Sequence, residues 1–117
     1  MTDKDLPFTQ AEFDRRVAGT REAMERAALD AIFITDPSNQ NWLTAYDGWS
    51  FYVHQGVILR RDGDPIWWGR YMDMLGGRRT CWMQDENILG YGDEYVQSTE
   101  RHAMQDLANR LRDLGLE

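Results

Sequence analysis

The polar and apolar positions of this chain switch between a helical and an alternating period, and each switch marks an element. Thr9 followed by Glu12 forms a capping box. Phe13, Val17, Met24 and Ala28 then recur at helical spacing with charges between them, which predicts a helix over 10–28. "DAIFIT" is a short apolar run and reads as a buried strand. In "DPSNQNWLTAY", Asp36 suits a cap and Pro37 the first helical position, so a short helix should carry Trp42 and Leu43 inward. "FYVHQGVILRRDGDPIWWG" reads as a β-hairpin, with strands over 51–60 and 66–69 and a turn at Asp62-Gly63. "RYMDMLGGRRT" predicts a short helix weakened by Gly76 and Gly77. "CWMQDENILGYGDEY" supplies one or two short strands, the best placed over 87–91. Ser98 or Thr99 is expected to open a last helix with Met104, Leu107, Ala108, Leu111 and Leu114 on its apolar face. Gly115 fits its stop.

This order of elements predicts an α/β fold, a single domain with a mixed β-sheet flanked by helices. The length of 117 residues suits one domain and a sizeable core. No repeat, low-complexity stretch or linker interrupts it. The last helix must bury its apolar face on this sheet or lead into something longer.

Charge narrows the partners. The formal net charge is -7 and the pI about 4.7, which disfavours phosphate backbones and anionic membrane surfaces. The lone Cys81 permits no internal disulfide and fits a reducing compartment. The first residues lack the apolar core of a signal peptide, and no apolar run approaches the roughly 20 residues that cross a bilayer. A cytoplasmic protein without membrane or nucleic-acid partners is expected.

The residues offer no self-contained active site. Two histidines, His54 and His102, and one cysteine give no zinc spacing. "GGRR" lacks the ending of a phosphate loop, and "GWS" lacks the glycine pattern of a nucleophile elbow. Cys81 has no neighbour in sequence to activate it and reads as packing beside Trp82 and Met83. The adjacent carboxylates Asp85-Glu86 and Asp93-Glu94 read as solvated loops. The expectation is therefore no catalytic residue and no metal ligand in this chain.

What remains is aromatic. The five tryptophans are several times an average domain's share, and "YDGWSFYVHQ" packs four rings, a histidine and a carboxylate into one short run. Trp67 and Trp68 are neighbours on a predicted strand and so face opposite sides. Either helices cover both sides, or one ring meets a partner. Phe51 and Tyr52 pose the same question. His54 reads as mid-strand, either structural or functional. Arg70, at a strand end, could hold a carboxylate or pair with Asp73.

"ITDPSNQNWLTAYDGWSFYVHQGVIL", "PIWWGRYMDMLGGRRT" and "ILGYGDEYVQSTERHAM" resemble the N-terminal domain of the creatinase and Xaa-Pro peptidase family, most of all its ectoine hydrolase branch. Ala103 and Ala45 depart from the proline and glycine of that branch. The resemblance implies that residues 1–117 form the non-catalytic N-terminal domain of a two-domain hydrolase of C–N bonds. The catalytic pita-bread domain, with divalent metal ions in the peptidases, would lie outside this chain. It also implies a homo-oligomer, most simply a dimer, in which this domain narrows access to a partner's active site. A small zwitterionic substrate such as ectoine, a cyclic amidine with a carboxylate, would suit Trp49, Tyr52, His54 and Arg70 as gating or binding residues. Tyr46, Phe51, Trp67 and Trp68 would be interface residues. The alternatives are the same domain in an Xaa-Pro dipeptidase or creatinase relative, and a free-standing module that binds a solute or partner.

Overall fold

A computed structural model describes residues 6–48, 50 and 53–116. The elements run α1 (Gln10–Arg26), β1 (Ala31–Ile34), α2 (Pro37–Thr44), β2 (Gly56–Arg60), β3 (Ile66–Arg70), α3 (Tyr71–Thr80), β4 (Ile88–Tyr91) and α4 (Ala103–Asp113). Two 3-10 turns, Asp85–Asn87 and Asp93–Tyr95, flank β4. The strands form one mixed sheet in the order β1-β2-β3-β4. The first three are antiparallel, and β4 runs parallel to β3 after the α3 crossover. This is the α/β architecture that the element order predicts.

Local chemistry sets the boundaries. The Thr9 hydroxyl caps α1 by accepting from the Glu12 N–H, 3.2 Å away. The Glu12 carboxylate turns instead to Arg15 and Arg16, whose guanidinium hydrogen bonds hold it down to about 2. The helix ends at Arg26, so Ala28 lies beyond it with a φ of 57°. Asp36 caps α2 through the Asn39 N–H, and Pro37 opens it. Within α2, Leu43 is buried, but Trp42 is 45% exposed. Successive helical residues diverge by about 100°, so both cannot face inward. Trp42 lies instead over the Arg16 guanidinium, 5.1 Å from its ring centroid.

The sheet separates two cores. On one face α1, α2 and α3 enclose Phe13, Leu43, Val57, Leu59, Trp67 and Ile88. On the other, α4 covers Ile58, Ile66, Trp68 and Tyr91 through Ala103 and Leu107. Met104, expected on the apolar face of α4, is 37% exposed. The sheet-facing positions of that helix are 103 and 107, one turn apart, and 104 is rotated away from them. Trp67 and Trp68 are both fully buried, and Tyr46 is only 3% exposed and stacks 5.0 Å from Trp67. Helices of this same chain cover both tryptophans. The expectation that Tyr46, Trp67 and Trp68 form a partner interface is corrected accordingly, and Phe51 lies outside the described residues.

The α3 crossover lies tight on β4 because Gly90 carries no side chain. A Cβ there would stand 2.9 Å from the Tyr71 Cα and 3.0 Å from the Met74 sulfur. Gly76, on the outer side of α3, has nothing within 4 Å. Gly90→Ala should therefore lower unfolding stability by about 1–3 kcal/mol through overpacking. Gly76→Ala should raise it by about 0.5–1 kcal/mol through helix propensity. Urea unfolding of the two variants beside the parent checks the opposite signs.

Candidate functional site

The segment that enters β2 and the segment that leaves β4 meet across the end of β3. β2 begins only at Gly56, which pairs with Trp68, so His54 precedes the strand and is exposed rather than mid-strand. The antiparallel register of β2 with β3 stops at the Gly56–Trp68 pair, while β3 runs on to Arg70 in its pairing with β4. Two tyrosines anchor this entry segment from beneath. The Tyr91 hydroxyl donates to the His54 carbonyl at 2.7 Å, and the Tyr46 hydroxyl to Gln55 Oε1 at 3.3 Å. Burial, and secondarily the charge of Asp73, push both phenols up to about 12. Burial also raises the Asp73 carboxyl, against the opposing pull of Arg70.

Between the two segments lies a cavity of about 170 Å³. Val53 and His54 line it from the β2 side, and Tyr95, Ser98, Arg101 and His102 from the other. The imidazole rings of His54 and His102 have centroids 5.0 Å apart at 44°. Ser98 does not open α4, as Ser98 or Thr99 was expected to. Its hydroxyl instead accepts from the N–H groups of Glu100 and Arg101 at 3.0 Å each, closing a local turn. The helix starts at Ala103, and its cap is His102, whose Nδ1 accepts from the Met104 N–H at 3.1 Å. That contact leaves the neutral ring with its proton on Nε2.

Arg70 sits near this cavity in the sheet, opposite Tyr91. Its guanidinium binds Asp93 at 2.9 Å, where pairing with Asp73 was the expected alternative to a ligand. The Arg70 hydrogen bond holds the Asp93 carboxyl below its ordinary range. Trp49 and Tyr52, the two aromatic gating candidates, lie outside the described residues. Of the two candidates among the described residues, His54 lines the cavity and Arg70 does not. Arg101, His102, Ser98 and Tyr95 were missed as site residues. The signal was present, since each of the two conspicuous blocks, "YDGWSFYVHQ" and "YVQSTERHAM", holds one of the chain's two histidines. Cys81 is buried, with its sulfur 3.9 Å from the Thr44 hydroxyl. Among the described residues no group of three or more His, Cys, Asp or Glu side chains could hold a metal ion. No helix among them is long and apolar enough to cross a membrane.

The four-stranded mixed sheet with helices on both faces is a fold shared with solved structures. The chain superposes on a proline dipeptidase structure from Streptococcus pneumoniae with a TM-score of 0.66 at 17% identity, covering 82% of this chain and 64% of that one. A proline dipeptidase from Streptococcus agalactiae gives 0.67 at 16% identity, covering 84% and 67%. Residues 16–117 match the family described as the Creatinase/Prolidase N-terminal domain, and the chain belongs to that family. It is 49% identical over 111 residues to the ectoine hydrolase of Halomonas elongata, covering 95% of this chain and 28% of that protein. It is 39% identical over 107 residues to an uncharacterized hydrolase/peptidase of Sinorhizobium fredii, covering 91% and 27%. The chain thus spans a little over a quarter of the length of these relatives.

The two anchoring tyrosines carry a pH signature. Their folded-state values lie above that of a free phenol, so the folded chain holds these protons more tightly than the unfolded chain. Their contribution is complete below about pH 10 and is lost as pH rises toward about 12. Tyr91→Phe should flatten this alkaline loss and, by removing the bond to His54, cost about 1 kcal/mol at neutral pH. Denaturant unfolding between neutral and alkaline pH measures both effects.

Proposed function

We propose that this chain is the non-catalytic N-terminal domain of a hydrolase that opens a C–N bond in a small zwitterionic substrate, as an ectoine hydrolase would. The observation that carries this reading is the convergence of two sequence blocks, 37 residues apart at the Tyr91–His54 bond, on one cavity. The identity of 49% to an ectoine hydrolase across nearly the whole chain supports the substrate class. The dipeptidase alternative draws on the Creatinase/Prolidase family match and on the fold, at 16–17% identity. In this reading catalysis belongs to a further domain, which would also hold any divalent metal. The present domain contributes assembly of a homo-oligomer, a dimer in its simplest form, and the narrowing of access to the active site. In this reading His54, exposed at the cavity and held through its own carbonyl, is one of the described residues that would meet substrate.

The full-length protein should consume ectoine in preference to Xaa-Pro dipeptides. His54→Ala in that protein should raise KM about ten-fold while changing kcat less, the pattern of lost substrate binding. Turnover of an Xaa-Pro dipeptide without turnover of ectoine would replace this reading with the dipeptidase one. Unchanged kinetics in the variant would remove His54 from the substrate path. Sedimentation of the full-length protein tests the oligomer separately.

A further inference from the structure

The cavity beside His54 has a charge pattern opposite to that of the chain around it. The chain carries 20 acidic residues against 13 basic ones. Among the described residues no carboxylate lines this cavity, yet Arg101 and both of the chain's histidines do. No ion pair among the described residues engages Arg101. The Asp93 carboxylate nearby is already bound by Arg70.

The polar groups that line it are mostly donors. A guanidinium offers N–H groups and no acceptor. His102 spends Nδ1 on the Met104 N–H, so its neutral ring donates from Nε2. The Ser98 oxygen already accepts two backbone N–H groups, which leaves its own proton to give. Half-buried Tyr95 adds an aromatic ring. The volume of about 170 Å³ equals some six waters at about 30 Å³ each, the scale of a small organic molecule. A tetrahedral metal ion would find only two imidazole ligands here.

We propose that this cavity is a carboxylate-binding site for a small zwitterion. Arg101 supplies the fixed positive charge. His102 and Ser98 supply directed hydrogen bonds, and the His54 ring closes the cavity from the other side. The ring of Tyr95 suits the cationic end of the ligand. The groups that face His54 are His102 and Arg101 ahead of α4, Tyr91 from β4 and Tyr95 from the turn after it. This deepens the reading above and rests on it for the zwitterionic ligand, while the test uses only this chain and acetate.

The experiment is an NMR titration of the 117-residue chain with sodium acetate at fixed ionic strength, following the ring signals of both histidines. Both should shift saturably as acetate fills the cavity. Arg101→Gln should abolish saturation while the amide spectrum stays folded. His54→Gln should weaken the binding while leaving it saturable. Shifts that do not saturate, that sodium chloride reproduces, or that persist in Arg101→Gln would each overturn the site. A full-length enzyme that acts on some other substrate leaves this titration unaffected, so the two proposals fail separately.

Discussion

Two tryptophans side by side on one strand must both be kept from water, and a strand points them to opposite faces. Trp67 and Trp68 impose that demand on β3, which becomes an interior strand covered on both sides. Trp67 is met by Tyr46 and the core beneath α1, α2 and α3. Trp68 is met by Tyr91 at 4.9 Å, by Phe33 at 5.9 Å, and by α4 above them. Its indole N–H also needs an acceptor, and Asp106 accepts it at 2.7 Å. That bond fixes α4 in position along its own axis. His102 stands one helical turn before Asp106, so the bond also sets where the helix cap meets the cavity. The arrangement of the candidate site thus follows from the need to cover Trp68.

Elements whose causes are local could be read from the chain. The start of α1 follows from Thr9, and that of α2 from Asp36 and Pro37. The hairpin follows from Asp62-Gly63, with Gly63 at a φ of 83°. The errors arose where a local signal met a nonlocal limit. Residues 51–55 alternate like a strand, but pairing to β3 begins at Gly56. Ser98 is a good helix cap by type, yet it closes a turn of its own and the helix waits for His102.

The candidate site was legible only at His54. Its other members follow the β4 strand, and the contact that joins them spans the sheet. No periodicity reports such a contact. Arg70 was read correctly as a charge at a strand end, but its partner, Asp93, lies 23 residues away. The parallel pairing of β3 with β4 sets Arg70 opposite Tyr91 and within reach of Asp93, while its charge is also felt at Asp73.

Histidine is a poor choice of helix cap. Serine, threonine, aspartate and asparagine all bring an oxygen to the first turn with less bulk. The stretch before α4 offers Ser98 and Thr99, yet the cap falls to His102. A second local rule is broken close by. Gln97 takes a φ of 51°, a left-handed conformation that a side chain other than glycine adopts only at some cost. Gln97 and His102 both line the cavity. Local rules broken together, beside one cavity, indicate that something other than stability shapes the segment. A serine at position 102 could cap the helix as well or better. It could not also bring to the cavity a second nitrogen that donates while the first one caps.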